Sequence, residues 1–382
     1  MKDIKVLFMH NSMTWYRIPF FIELSKICNV KYMFTKVKNS ETLYKGIKDE
    51  NSDLKDIDYE IVENKFNIAW KSLKAARSYD YDIILVTVLD SFDQIFEAFT
   101  CAIIAKIRRK KVAYFWERWD APKEYLSKSK RFKCFVYRML MKLLALFVDT
   151  NIVPGSKSKE YFMSTGIPES KITIAHDAST INIKEKTREI RKEIGIPSDK
   201  KIILYFGRIV QFKGLDVLIK AFAKLKYKNA FLLICGEGPY KNECIDLANN
   251  LKLKNVYFQG LVQPKDRYSY FTESNIFVLP NRFYDGWVEI WGLSTNEAME
   301  MGKPVISTTA NGGAYDLIKD GYNGFMVEQN NEDELAEAIK KILENDELEK
   351  SMGINSKKII ESEYSYKNMA EGFKNAFYLP FK

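Results

Sequence analysis

Two glutamates, Glu289 and Glu297, stand eight residues apart in the stretch WVEIWGLSTNEAMEMGKPVI, on either side of Gly292. Glu289 falls in a loop after the apolar run NIFVLPN, and Glu297 in the second turn of a helix that begins at Gly292. Both carboxylates can then face the crevice beyond one sheet edge, where they would accept charge-assisted hydrogen bonds from sugar or ribose hydroxyls. A plainer reading also fits, a loop acid and an acid favoured by the helix dipole. Upstream, Arg208 follows Gly207 at the end of KIILYFG, and Lys213 precedes Gly214 at the start of another helical stretch. A planar guanidinium and a point-charge ammonium beside helix N-termini suit a diphosphate; as surface bases at loop ends they would need no ligand. Glycines recur after the apolar runs, in Gly236-Glu237-Gly238-Pro239 and Asn311-Gly312-Gly313, where they permit tight turns or close backbone approach. Bases for a diphosphate beside acids for hydroxyls form the pattern of a nucleotide-sugar site.

The elements that must position these residues alternate along nearly the whole chain. In the first half the strand candidates are IKVLFM, VKYMFT, DIILVTV, KVAYFW, TNIVP and KITIAH, with helices at 17–27, 91–107 and 124–147. In the second half KIILYFG, AFLLICG, VYFQG, NIFVLP, PVIST and GFMV alternate with helices near 214–226, 239–252, 292–301, 313–319 and 331–344. Asn331 with Glu334 spells a capping box for the last of these. This alternation predicts parallel sheets covered by helices, in two doubly wound domains. Such sheets bind ligands beyond the carboxyl ends of their strands. The charged segment 177–198 is the best candidate linker.

A chain of 382 residues exceeds one ordinary core, and 46% hydrophobic residues suffice for two. Five cysteines without CxxC spacing, and an N-terminus that already reads as a strand, point to a reducing cytoplasm. No run predicts a membrane-spanning helix. Residues 1–180 hold 30 Lys and Arg against 22 Asp and Glu, and within them 101–142 hold 13 bases and 3 acids. That stretch reads either as a solvated surface or as a peripheral contact with anionic lipid, since KRFKCFVYRMLMKLLALF interleaves bases with Phe, Leu and Met. No nucleic-acid-binding pattern accompanies it, so no nucleic-acid partner is expected. Asp80-Tyr81-Asp82 runs straight into a strand, and only His10 and His176 are present, so no metal site is expected.

Taken in order, FGRIVQFKG (206–214), ICGEGP (234–239), VYFQGLV (256–262), IFVLPN (276–281), EIWGLSTNEAMEMGKPVI (289–306), NGG (311–313) and DGYNGFMV (320–327) resemble the GT-B glycosyltransferases, and within them retaining glycosyltransferase family 4. The resemblance implies a GT-B fold of two Rossmann-like domains facing each other across a cleft. It places an acceptor domain at 1–180, a nucleotide-sugar donor domain at 181–365, and a helix at 366–382 that packs back on the first domain. It implies that Glu297 holds the donor ribose and that Glu289 faces the transferred sugar. Arg208 and Lys213 would bind the diphosphate, with Gly207, Gly236 and the backbone at Gly292 and Leu293 completing the cradle. It further implies metal-independent transfer with retention from a nucleotide-diphosphate sugar to a glycan or lipid-linked acceptor, in surface or capsular polysaccharide synthesis. The compartment implied is the cytoplasm, or the inner face of the membrane.

The first domain departs from the family pattern. The loop HNSMTWYR lacks the glycine pair common after the first strand, and YFWERWD carries Glu117 where many members have a histidine. Asn11, Arg17, Glu117 and Arg118 are therefore the acceptor-side candidates. Trp287 and Trp291 can be read as sugar-pocket walls or as packed core. Three alternatives share doubly wound domains: a nicotinamide oxidoreductase, whose GxGxxG fingerprint the first strand lacks, a non-catalytic nucleotide-sugar-binding protein, and a sugar-nucleotide epimerase.

Overall fold

The computed structural model describes residues 4–10, 14–34, 57–61, 68–87, 92–181, 185–225, 227 and 229–381. Seven strands, β1 (Lys5–His10), β2 (Asn29–Phe34), β3 (Asp58–Ile61), β4 (Ile83–Thr87), β5 (Lys111–Phe115), β6 (Thr150–Val153) and β7 (Ile172–Ile174), form one parallel sheet in the order β3-β2-β1-β4-β5-β6-β7. Six more, β8 (Lys201–Phe206), β9 (Ala230–Cys235), β10 (Val256–Gly260), β11 (Ile276–Leu279), β12 (Val305–Thr308) and β13 (Gly324–Val327), form a second in the order β10-β9-β8-β11-β12-β13. The central strands are buried on both faces, which is why KIILYF and AFLLIC read as continuous apolar runs without alternation. In register, β8 pairs Leu204 with Leu233 of β9 on one side and with Phe277 of β11 on the other. Strand order reverses at β1/β4 and at β8/β11, so the loops leaving those strands open around each crevice.

The chain divides into two compact units. Met1–Trp119, Lys128–Ala178 and Tyr366–Lys382 make the first; Asp120–Ser127 and Ser179–Ser365 make the second. The division falls after Ala178 rather than Thr180, and Asp120–Ser127 joins the second unit, where the Tyr125 ring lies 5.2 Å from that of Phe283. Helix Tyr366–Tyr378 lies in the core of the first unit. Its Phe373 packs on Phe8, Phe20 and Phe115 at centroid distances of 5.8, 4.7 and 5.1 Å, and Tyr366 donates to the Tyr16 carbonyl at 2.7 Å.

The segment 177–198 is no free linker. Ile181, Ile190 and Ile196 are buried in the second unit's core, and the bases between them find partners: Arg188 donates to Tyr270 Oη at 2.6 Å and Arg191 to the Pro197 carbonyl at 3.1 Å. Strand β3 and helices Ile68–Ser78, Ser156–Ser164 and Asp346–Glu363 are additions to the sequence reading. At the Asn331 cap the side chain accepts from Glu334 N–H at 3.1 Å, but Glu334 turns its carboxylate to the Asn331 amide and the Glu328 N–H rather than to the cap's own backbone.

Candidate active site

In the second unit the loops after β8 and β11 meet at the switch point. Gly214 has φ +66°, and a Cβ there would lie 1.9 Å from the Pro280 carbonyl oxygen, so only glycine allows the loops this close. The loop after β9 is locked likewise: a Cβ on Gly236 would lie 1.8 Å from the Gly207 carbonyl oxygen. These two glycines therefore have a packing role that stands apart from any ligand.

On this frame Lys213, 9% exposed, pairs its ammonium with the Glu289 carboxylate. The Asn281 amide, at the end of β11, also donates to Glu289 at 3.2 Å. The Glu289 backbone is pinned by a bridge to Asn311 and by the Gly312 N–H at 2.9 Å. Arg208 is exposed beside this pair, its guanidinium 6.0 Å from the Phe212 ring centroid; the Lys213 ammonium lies 5.7 Å from the same centroid. The Tyr205 hydroxyl, whose proton burial holds firmly, fixes the loop by donating to the Arg208 carbonyl at 2.7 Å. The cluster of Arg208, Lys213 and Glu289 thus carries one surplus positive charge at the carboxyl end of the sheet.

Gly292 caps helix Leu293–Glu300 in a left-handed conformation, φ +82°, and the first N–H groups of a helix lack intrahelical partners. Glu297 lies in that helix, 1% exposed. One of its oxygens is paired with Arg267 and the other accepts from Ser179 Oγ at 2.9 Å. Burial pushes its pKa above the ordinary carboxyl range, against the opposing pull of Arg267. A carboxylate offers about four acceptor positions, and these contacts occupy one on each oxygen. Trp291 is core: its indole donates to Asn296 at 2.9 Å, and its ring packs on Tyr364. Trp287 is exposed and stacked on Phe212 at 6.0 Å.

The acceptor candidates lie in the first unit, at the carboxyl ends of β1 and β5, except Asn11, which is outside the described residues. Arg17 is buried and grips Asp177 with both terminal nitrogens, at 2.8 and 3.0 Å, while also pairing with Glu117. Burial works against its charge, but the two carboxylates outweigh it and raise the guanidinium pKa above its ordinary value. Glu117 remains partly exposed. Arg118 lies between the Trp116 and Tyr137 rings at 5.3 and 5.2 Å. Asp80 pairs with Lys5 at 2.5 Å at the opposite, amino end of β4, away from the first unit's crevice.

Three polar residues of the site were not found from sequence: Asn281, Arg267 and Ser179. Asn281 had a signal, a polar residue closing an apolar strand at a switch point. Arg267 and Ser179 reach Glu297 from 30 and 118 residues away, with no spacing to announce them.

Residues 186–359 match the glycosyl transferases group 1 family. An uncharacterized glycosyltransferase of Methanocaldococcus jannaschii is 29% identical over 62% of this chain and 62% of that protein. The capsular polysaccharide biosynthesis glycosyltransferase CapM of Staphylococcus aureus is 31% identical over 63% of this chain and 64% of its own length. The chain thus matches less than two thirds of each of these relatives. The Anabaena HepE structure in complex with UDP superposes with a TM-score of 0.75 at 20% identity, covering 97% of this chain and 99% of that one. With both sheets wholly parallel and doubly wound, that likeness identifies the fold as GT-B. The glutamates, Arg208, Lys213 and their loops all lie inside the segment that matches the glycosyl transferases group 1 family.

Proposed function

We propose that the chain is a retaining glycosyltransferase of family 4. It moves a sugar from a nucleotide-diphosphate sugar to a glycan or lipid-linked acceptor, at the inner face of the membrane, in surface or capsular polysaccharide synthesis. The observation that carries this is the Arg208, Lys213, Glu289 and Asn281 cluster at the β8/β11 switch point, with its surplus positive charge. The CapM relative and the UDP complex of HepE support the donor and pathway by similarity.

The bond from the anomeric carbon to the diphosphate oxygen breaks, and the acceptor oxygen attaches on the same face. The acceptor proton leaves on the departing phosphate. Lys213 has three N–H donors and can serve Glu289 and a phosphate oxygen together; Arg208 adds a planar fork. Both stabilise charge as it develops, so the scheme requires no metal. Glu289 orients the transferred sugar, and Glu297 accepts from the ribose. Arg17, Glu117 and Arg118 belong to the acceptor side, where the partly exposed Glu117 is the group best placed to meet an acceptor hydroxyl.

Thermal-shift screening of nucleotide-diphosphate sugars, with and without chelator, tests the donor. Stabilisation by one donor that Lys213→Ala abolishes, unaffected by chelator, supports the proposal. A folded protein that no donor stabilises sinks it. Transfer products read by NMR at the anomeric proton decide retention; solvent proton exchange into the donor without transfer would indicate an epimerase instead.

A further inference from the structure

The basic stretch 101–142 separates in the structure into two kinds of base. Lys106 pairs with Asp149 at 2.6 Å, Arg108 stacks on Tyr81 and donates to the Ala76 and Tyr79 carbonyls, and Arg118 is stacked between rings. These serve the fold. Helix Lys128–Ala145 holds six bases and no acid; Arg138 donates to Ser164 and Lys133 lies over the Tyr137 ring, whereas Lys128, Arg131 and Lys142 are exposed.

One face of this helix, Tyr137, Met141 and Leu144, is buried in the core of the first unit. The opposite face is apolar and exposed. Phe132 is 70% exposed, Phe135 59%, Val136 37%, Met139 42% and Leu143 48%, and Leu146 just past the helix is 76% exposed. At 3.6 residues per turn these six fall within an arc of about 100° and run about 20 Å along the axis. A solvated surface helix has no reason to gather large apolar side chains into one stripe. Lys128 lies in line with the stripe at its N-terminal end, and Arg131 and Lys142 flank it on one side, all three exposed.

We infer that helix Lys128–Ala145 is an in-plane membrane anchor, seated with its apolar stripe among acyl chains and its bases on anionic headgroups. Among the described residues no helix is long and apolar enough to cross a bilayer, and six charges keep this one at the interface. Charge decides the occupant. A stripe whose charged neighbours on the helix are all bases repels a second copy of itself, whereas an anionic bilayer satisfies both the bases and the stripe. This deepens the membrane part of the proposed function and is independent of the donor chemistry, because its residues lie in the other unit.

The test is flotation of the full chain with vesicles of phosphatidylcholine alone and of equal parts phosphatidylcholine and phosphatidylglycerol. The wild type floats with the anionic vesicles and not with the neutral ones. Lys128→Glu/Arg131→Glu/Lys142→Glu lowers partitioning about a hundredfold, and Phe132→Ser/Phe135→Ser/Leu143→Ser about tenfold or more. A Phe135→Trp reporter is quenched by lipids brominated on the acyl chain. Because every substituted side chain is exposed, thermal midpoints stay at the wild-type value, and donor-induced thermal shifts persist in both triple variants. Absence of flotation overturns the inference. So does flotation that survives the apolar substitutions, which would mean headgroup adsorption only. So does concentration-dependent self-association lost in the same variants, which would assign the stripe to a second copy.

Discussion

Each unit gathers bases and carboxylates at the carboxyl ends of its strands, and the two clusters differ in charge balance. In the first, one guanidinium, Arg17, faces two carboxylates, Asp177 and Glu117, and the arginine and aspartate are almost wholly buried. In the second, Lys213 has one carboxylate, with exposed Arg208 beside it. The first cluster is overcompensated and closed on itself; the second keeps a surplus cation and spare donors. A buried base whose charge is already cancelled by its own chain holds elements together, whereas a base left in excess at a switch point is available to an anion.

The largest effect should come from breaking the closed cluster. Arg17→Met leaves Asp177 buried without its cation and should cost about 3–5 kcal/mol of stability, read by urea unfolding. An unchanged midpoint would mean the cluster does not brace the fold. Lys213→Ala should lower kcat/KM by about 3 kcal/mol of transition-state stabilisation and, because Asn281 still donates to the less deeply buried Glu289, cost less stability than Arg17→Met. If it destabilises as much as Arg17→Met, the distinction between the clusters fails. Arg208→Lys keeps the charge and loses the fork, so donor affinity should fall by about 1 kcal/mol with stability untouched; isothermal titration measures it. The smallest effect is one of pH. Because Glu297 has a raised pKa in the fold, its contribution to stability is present below its ordinary pKa and is lost as pH rises through the raised value. Unfolding midpoints of wild type and Glu297→Gln should therefore diverge over that window, the wild type losing ground as pH rises; parallel curves would contradict the burial assignment.

The same contrast explains what could be read from residues alone. The strands of both sheets were visible because apolar runs of four to six residues between turn signals have few other uses. Strand β3, DYEI, escaped because it is an edge strand with alternating exposure. Helix Asp346–Glu363 escaped because its buried face includes Gly353 and Ser356 among only a few large apolar residues. In the second unit Arg208 and Lys213 follow β8 within seven residues, and Glu289 and Glu297 share one loop-and-helix segment between β11 and β12, so their setting could be inferred locally. The partners that tune them could not: Arg267 and Ser179 arrive through tertiary packing. The first unit's closed cluster joins residues 100 and 160 apart, and its aspartate sits in a stretch whose composition suggested a linker. Chemistry borne by one loop shows in a sequence; chemistry assembled from distant elements does not.

The placement of helix Tyr366–Tyr378 bears on how the chain is made. Phe8 and Phe373 stack in one core although 365 residues of synthesis separate them. Strand β1 is therefore translated well before helix Tyr366–Tyr378 and cannot close its core until the second unit, Asp120–Ser127 and Ser179–Ser365, has been made. During that interval Phe8, Phe20 and Phe115 lack the side chain that covers them, a window for chaperone capture or misassociation. Domains usually close in the order in which they are made; here β1 waits for helix Tyr366–Tyr378.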